Sequence, residues 1–377
     1  MKYPKYYGLS ILAILLLVQN PIAAAAGSNF STDKQLIDVN FAVQLTDFWK
    51  KNAQESRFKS NGTVEDIDGN DKPINAADGL KIAYVKFLQP DQATEKGAIV
   101  IATGRTESYL KYDEVAYDLW HNGYSVYIID HRGQGKSDRE QGLDNPQKGY
   151  VKDFGLFVAD FKQFVDEVVK KDGHRKLYLI AHSMGGAIAA LYLEQNAGHP
   201  FKAVAFTSPM FELQSGIIQG DTMWATCPLS HVFAFFNPEG FVVSGTNYAP
   251  KTFDKNEYTT DSICYNRLLT LNEREPSIRL GSPTHGWLSQ ACDAAESARE
   301  NAEAITIPVR LYQAGLDTIV HRDGQAEFCN NLPENGQERC GKGGTPIVKD
   351  GKHELLIERD EIRNDVLSAL LDFFEQH

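Results

Sequence analysis

LIAHSMGGAIAA, residues 179–190, places a serine between an apolar run and a helical pattern. The run that ends at His182 predicts a buried strand, and the residues after Ser183 have the spacing of a helix. A serine at such a junction is typical of a nucleophile elbow, G-x-S-x-G, although Ala181 replaces the first glycine. Because strand and helix pass close together there, the position needs a small side chain and tolerates a methyl group. We therefore predict that Ser183 is a nucleophile; the alternative is a serine that only caps a buried helix.

Apolar runs alternate with helical patterns on both sides of this stretch. GAIVIATG (97–104) and YSVYIIDHRG (124–133) predict strands, and FVADFKQFVDEVVKK (157–171) predicts a helix. Such alternation is typical of a mostly parallel sheet flanked by helices. The fold class predicted from the sequence is therefore α/β.

The alternation stops after Pro209 and resumes near residue 301. The residues between are rich in loops and aromatic side chains, as in HVFAFFNPEGFVV. We predict one α/β domain formed by residues 27–209 and 301–377, with a cap inserted at residues 210–300.

An acid and a base follow Ser183 in the order that this kind of sheet requires. Asp317 follows the strand pattern VRLYQA, and His353 follows the last one, PIVKDG. Both are expected at the carboxyl ends of strands, where open α/β sheets form their sites. We predict that His353 is the base and Asp317 the acid of a catalytic triad. The other candidates are expected to have local structural roles: Asp130, His131, His182, His321 and Asp323.

A triad of this kind also needs N–H donors for the oxyanion of its intermediate. The backbone N–H of Met184 begins the predicted helix, where the helix dipole favours negative charge. The loop after GAIVIATG is expected to supply the second donor, from the backbone of Arg105.

The N-terminal residues indicate the location of the protein, and its net charge limits the partners that it can bind. Residues 1–26 combine two lysines, a short apolar run and an alanine run, which predicts a signal peptide cleaved near Ala26; an uncleaved anchor is the alternative. The expected location is secreted or periplasmic. A net charge of −12 excludes general affinity for nucleic acid or anionic membranes.

All five cysteines lie after Ser183, which is typical of an exported protein with disulfide bonds. Cys329 and Cys340 flank a turn-rich segment and are the first predicted pair. Two of the remaining three, Cys227, Cys264 and Cys292, are expected to pair. No C-x-x-C pair or histidine cluster is present, so the sequence predicts neither a metal nor a cofactor.

Several motifs together resemble the bacterial lysophospholipases of the monoglyceride-lipase-like group of α/β-hydrolases. They include GRTESYLKYDEVAYDL, YIIDHRGQGKSDR, IAHSMGGAIAALYLEQ, GSPTHGWLSQA and GKHELLIERDEIR. The resemblance implies an α/β-hydrolase fold with a cap and the site residues Ser183, Asp317, His353, Arg105 and Met184. The A-H-S-M-G form is similar to that of the lysophospholipase branch. Thr103 stands where monoglyceride lipases have a histidine, which speaks against monoacylglycerol as the main substrate.

This resemblance implies a serine hydrolase that cleaves the carboxylic ester of a lysophospholipid. A monoacylglycerol lipase or carboxylesterase, an acyltransferase and a catalytically silent lipid-binding protein are the alternatives. The Arg105 side chain is expected either to meet a substrate phosphate or to pair with Glu107 or an acid of the cap. The cap is expected to dock on a membrane or micelle through an apolar face. Its candidate acyl-chain walls are Phe211, Phe233, Phe235 and Phe236.

Overall fold

The structure is a computed structural model that describes residues 30–61, 79–214, 223–334, 340 and 346–377. The predicted signal peptide, residues 1–26, lies outside the described residues. The described strands are β1 (Ala53–Lys59), β2 (Lys81–Phe87), β3 (Gly97–Ala102), β4 (Tyr124–Ile129), β5 (Leu177–His182), β6 (Phe201–Thr207), β7 (Val309–Ala314) and β8 (Ile347–Val348). The described helices are α1 (Asp33–Leu36), α2 (Val39–Asn52), α3 (Asp113–His121), α4 (Gly155–Phe164), α5 (Met184–Gln195), α6 (Met223–Phe236), α7 (Ser262–Arg274), α8 (His285–Glu300), α9 (Arg322–Asn331) and α10 (Asp360–Glu375).

The described strands form a single sheet in the order β1-β2-β4-β3-β5-β6-β7-β8. β2 is antiparallel to both of its neighbours, and all pairs from β4 to β8 are parallel. Every residue of β3, β4 and β5 is buried, as expected for central strands covered on both faces. The predicted α/β-hydrolase fold is confirmed.

Side chains of β5 alternate between two cores, one on each face of the sheet. Leu177, Leu179 and Ala181 pack in the core that contains α4, α5 and α8. Tyr178 and Ile180 pack in the core that contains α3 and α10. This alternation follows from the twofold repeat of a strand, and it holds β5 rigidly at the residue that precedes Ser183.

The chain between β6 and β7 contains α6, α7 and α8 in its described part. The guanidinium of Arg267 on α7 pairs with Asp113 (2.8 Å) and Glu114 (2.9 Å) at the start of α3. α8 packs on α5 through residues of the main core such as Trp287 and Ala291. Among the described residues, no helix combines the length and the apolar character that a membrane span requires.

Two disulfide bonds stabilise the second half of the described chain. Cys329 pairs with Cys340, as the sequence predicted. Cys227 pairs with Cys292 and so joins α6 to α8, which leaves Cys264 as the free, buried thiol. This answers which of the three remaining cysteines pair.

Candidate active site

Ser183 lies at the junction of β5 and α5, with φ of +51°. A positive φ is uncommon for a residue with a side chain and is typical of a strained elbow. A Cβ atom on Gly185 would lie 2.2 Å from the carbonyl oxygen of Ala102, and one on Gly186 would lie 2.5 Å from Cβ of Pro209. The positions that require glycine are therefore Gly185 and Gly186, after the serine. At Ala181, inside β5, a methyl group is accommodated.

The structure brings the three predicted triad side chains together. His353 Nε2 lies 2.8 Å from Ser183 Oγ, and its Nδ1 lies 2.8 Å from Asp317 Oδ2. Asp317 follows β7 and His353 follows β8, so all three residues lie at the carboxyl edge of the sheet. These contacts give one continuous hydrogen-bonded path from serine to carboxylate.

The carboxylate of Asp317 is held in its charged form. The backbone N–H groups of Ile319 and Val320 donate to its Oδ1 at 2.8 and 3.1 Å. Burial alone would raise the pKa of Asp317, but His353 and these hydrogen bonds hold it below its usual value. An ionised Asp317 accepts a hydrogen bond from the N–H group at His353 Nδ1, which leaves Nε2 unprotonated and able to take the proton of Ser183.

The loop after β3 lies directly against the serine. A Cβ atom on Gly104 would lie 3.1 Å from Cβ of Ser183. The next residue, Arg105, has a backbone N–H that donates to no acceptor in the described part of the chain. The N–H of Met184, as the first residue of α5, has no partner within its helix. The two predicted donors thus lie near Ser183, and their backbone N–H groups remain available for a further hydrogen bond.

Two side chains hold the peptide groups on either side of Gly104. Gln134 Nε2 donates to the Gly104 carbonyl at 2.6 Å, and the Gly104 N–H donates to Glu107 Oε2 at 2.5 Å. Gln134 is buried, and in the sequence it stands in a glycine-rich turn. Sequence reasoning interpreted that turn as structural and missed Gln134, because nothing local indicates contact with a loop 30 residues away.

We expect Gln134→Leu to lower kcat about 10-fold with a smaller change in KM. The loss of the donor frees the Gly104–Arg105 peptide, and the Arg105 N–H then spends less time aimed at the oxyanion. Steady-state kinetics on an ester substrate, together with the thermal midpoint, measure this. Gln195→Ala, at the end of α5 and exposed, is the control. Unchanged kcat in a folded Gln134→Leu protein would refute the role.

Comparison with known proteins identifies the family at this point. Residues 93–360 match the family model described as serine aminopeptidase, S33. The chain belongs to the serine aminopeptidase S33 family. The family resemblance seen in the sequence is thereby confirmed.

Several proteins similar to this S33 protein have names that refer to lipid esters. It is 34% identical over 337 residues to "Lysophospholipase L2" of Escherichia coli (strain K12), which covers 88% of this chain and 90% of the relative. It is 33% identical over 149 residues to "Monoglyceride lipase" of Homo sapiens, which covers 39% of this chain and 46% of the relative. A soluble variant of monoglyceride lipase from Saccharomyces cerevisiae, in complex with a substrate analog, superposes with a TM-score of 0.63 at 19% identity, over 80% of this chain and 92% of that one. The last likeness concerns the fold alone.

Beneath the triad of this S33 protein lies a buried cluster of charges. The Lys111 ammonium pairs with Glu107 and, at 2.6 Å, with Glu354. His182 Nε2 lies 3.2 Å from Glu354, and its ring centroid lies 4.9 Å from that of His353. The atoms of Glu107, His182 and Glu354 are close enough to hold a metal ion, but Lys111 already supplies the positive charge there. The cluster thus lies next to His353, with the His182 ring as its nearest part.

The pKa directions follow from this packing. Burial opposes the charged form of His182, but the carboxylates of Glu354 and Glu107 raise its pKa above the usual value. Burial would likewise raise the pKa of Glu354, yet Lys111 and His182 hold it well below. The cluster is therefore held by charge pairing rather than by neutral groups.

The remaining candidates from the sequence have structural contacts. Asp130 accepts hydrogen bonds from the Lys136 N–H (2.7 Å) and the Ser108 hydroxyl (2.9 Å), and so fixes the turn after β4. His321 caps the start of α9 by accepting from the Asp323 N–H at 3.3 Å. His182 does not face the serine hydroxyl; its Nδ1 lies 3.0 Å from the Thr207 carbonyl. Asp130, His321 and His182 thus have the local structural roles that the sequence predicted.

A cavity of about 570 Å³ opens between the loop after β3 and the region of α7. Arg105, Glu107 and Glu354 form its floor, and residues 244–251 and 278–283 contribute to its walls. The four phenylalanines proposed as acyl-chain walls do not line it. Phe211 is fully buried against Phe328, and Phe235 and Phe236 are 83% and 78% exposed. The hypothesis that these side chains enclose an acyl chain is therefore wrong for Phe211, which packs in the core.

Proposed function

We propose that the protein is a lysophospholipase that cleaves the carboxylic ester of a lysophospholipid and releases a fatty acid and a glycerophospho headgroup. The hydrogen-bonded chain from Ser183 through His353 to Asp317 carries this proposal. It occurs in a chain that is 34% identical to lysophospholipase L2 over 88% of its length. Serine, histidine and aspartate in this order are the groups that acyl transfer requires.

The proposed reaction proceeds through an acyl-enzyme. His353 Nε2 takes the proton of Ser183 as Oγ attacks the ester carbonyl, and Asp317 stabilises the imidazolium. The backbone N–H groups of Arg105 and Met184 stabilise the oxyanion. His353 then gives its proton to the departing glycerol oxygen. A water molecule, activated by the same histidine, releases the fatty acid and restores Ser183.

A substrate panel tests this function. Lysophospholipids, monoacylglycerols of the same chain length and short p-nitrophenyl esters are compared by kcat/KM. We expect the highest value for lysophospholipids. A strong preference for short soluble esters would refute the lipid assignment and favour a carboxylesterase.

Monoacylglycerol hydrolysis is the second candidate, because the stretch similar to human monoglyceride lipase supports a related substrate. The same panel separates the two. An acyltransferase would form new esters when glycerol-type acceptors are added. A catalytically silent lipid-binding protein would not react with a fluorophosphonate at Ser183.

We further propose that residues 210–300 form the cap and that α8 joins it to the core. The cap presents an apolar surface patch formed by Val232, Phe235, Phe236 and Val243, which are 53%, 83%, 78% and 62% exposed. Exposed large apolar side chains close together are typical of a site for a membrane or micelle surface. Docking there needs no net positive charge, which agrees with the acidic composition.

The double variant Phe235→Ser/Phe236→Ser is expected to lower partitioning onto phosphatidylcholine vesicles about 10-fold or more, since each ring loses roughly 1 kcal/mol of apolar burial. Vesicle co-sedimentation measures it. Ile37→Ser/Val39→Ser is the matched control, because Ile37 just after α1 and Val39 at the start of α2 are 69% and 73% exposed. Equal losses in the two double variants would refute docking through the cap.

For location, we propose export to the periplasm or the exterior with cleavage near Ala26. The two disulfide bonds support an oxidising compartment. N-terminal sequencing of the protein recovered from that compartment is expected to begin near residue 27. A chain that begins at Met1 in the membrane fraction would favour the uncleaved anchor.

A further inference from the structure

The side chain of Arg105 extends from the oxyanion loop into the cavity beside the active site. Its Nη2 donates to the Gly281 carbonyl at 3.0 Å, and its guanidinium carbon lies 4.8 Å from the centroid of the Trp287 ring. These two contacts fix the plane of the guanidinium. Its position is therefore set before any ligand arrives.

Arg105 has neither of the carboxylate partners that the sequence suggested. Among the described residues no carboxylate oxygen lies within 4.0 Å of its guanidinium, neither from Glu107 nor from an acid of the cap. Its Nε is buried and has no hydrogen-bond partner in that part of the chain. Burial lowers the pKa of Arg105 to about 10, so the group still carries its charge at neutral pH. A buried cation without a counter-ion is costly unless a ligand supplies one.

The other charges of the cavity wall are already paired. Lys111 is shared by Glu107 and Glu354, and Lys251 pairs with Glu257. Among the described residues that line the cavity, Arg105 is thus the cation that has no carboxylate partner. The three cations at the cavity and the three carboxylates of Glu107, Glu354 and Glu257 sum to zero, so the attraction for an anion comes from the guanidinium of Arg105 and not from a net positive charge. The cavity therefore favours an anion.

The wall opposite the floor is apolar and is supplied by the region of α7. Its side chains are Leu268, Leu269, Leu271, Ile278 and Leu280. An anion bound by Arg105 would therefore belong to a molecule that also has carbon atoms to bury. The backbone N–H of the same residue faces the site of the ester oxygen in the proposed reaction. In a lysophospholipid only the glycerol carbons separate the ester from the phosphate, so one residue is well placed to meet both.

We propose that the Arg105 guanidinium binds the phosphate oxygens of the substrate headgroup through the N–H groups of Nη1, in the cavity between the loop after β3 and α7. This inference rests on the proposed lysophospholipase function. Nη1 is the end of the guanidinium that is free to donate, because Nη2 donates to the Gly281 carbonyl and Nε is buried. The residue thus selects phosphate-bearing esters over neutral ones of equal chain length.

The first test compares two substrates in Arg105→Met. The ratio of kcat/KM for a lysophosphatidylcholine to that for a monoacylglycerol of the same chain is expected to fall about 10-fold or more. Lys136→Met removes a paired cation that does not line the cavity and is expected to leave the ratio within about 2-fold. Equal losses on both substrates in Arg105→Met, or an equal change of ratio in Lys136→Met, would overturn the proposal.

The second test needs no turnover. Glycerophosphocholine and inorganic phosphate are titrated calorimetrically into Ser183→Ala and into Ser183→Ala/Arg105→Met. We expect glycerophosphocholine to bind the first protein and to bind the second at least about 10-fold more weakly. Equal binding to both proteins would refute the site. Binding of inorganic phosphate alone would overturn the headgroup assignment in favour of a free-phosphate site.

The two tests also separate this proposal from the proposed function. A protein that hydrolyses neither lipid but binds glycerophosphocholine through Arg105 contradicts the enzyme assignment and keeps the phosphate site. A lysophospholipase whose Arg105→Met variant keeps its substrate ratio keeps the function and loses the site.

Discussion

Ser183→Ala is expected to lower kcat for ester hydrolysis by about 10⁴-fold or more. The hydroxyl 2.8 Å from His353 Nε2 is the nucleophile of the proposed mechanism, and alanine removes it. The residual rate then comes from the oxyanion donors and substrate binding alone. Because the methyl group of alanine fits wherever the serine side chain does, the thermal midpoint is expected to shift by only a few degrees.

Two measurements check this prediction. Initial rates give the loss of kcat, and mass spectrometry after fluorophosphonate treatment gives one added group on the wild-type chain and none on the variant. Ser277→Ala, at an exposed position near the cavity, is the control and is expected to keep both rate and labelling. A Ser183→Ala protein that is still labelled or still turns over would place the nucleophile elsewhere.

Gly185→Ala is expected to destabilise the fold by at least about 3 kcal/mol, the upper end of the cost of overpacking. The added methyl would lie 2.2 Å from the Ala102 carbonyl oxygen and 2.6 Å from that of Thr103. Both contacts are with backbone at the end of β3, which is locked between β4 and β5. Relief requires α5 to move away from the sheet, and that movement displaces Ser183 as well.

Urea denaturation measures the change in the free energy of unfolding. Gly198→Ala is the matched control, because a Cβ atom there meets no other atom within 4 Å. It is expected to change stability by less than about 0.5 kcal/mol. If both variants unfold at the same urea concentration, the close approach of α5 to β3 does not limit this position.

Much of the site was predictable because its signals are local. The apolar run that ends at His182 identified the strand before Ser183, and the strand patterns before Asp317 and His353 placed both at one edge of the sheet. The carboxyl ends of parallel strands lie at the same edge of a sheet, independently of the length and sequence of the loops. The Cys329–Cys340 bond was predictable for the same reason, since a short turn-rich segment separates the two residues.

What the sequence concealed depends on distant partners. β1 (Ala53–Lys59) has five exposed residues and therefore no apolar run, so it is a strand only because it pairs with β2. Gln134 donates to the Gly104 carbonyl in the loop after β3, through a hydrogen bond that spans 30 positions. Phe211 resembled a cap residue by composition, but its contact with Phe328 buries it in the core. The spacing of apolar residues along the sequence gives no information about contacts between residues that are far apart in the chain.

The disulfide bond between Cys227 and Cys292 links the apolar surface patch to Ser183 through two helices. The patch lies mainly on α6, the disulfide ties α6 to α8, and α8 packs on α5, whose first residue follows Ser183. Because the disulfide is covalent, a displacement of α6 is transmitted to α8 and, through the packing of α8 on α5, to the backbone at Ser183. Reduction of this bond is expected to leave only packing contacts between α6 and α8.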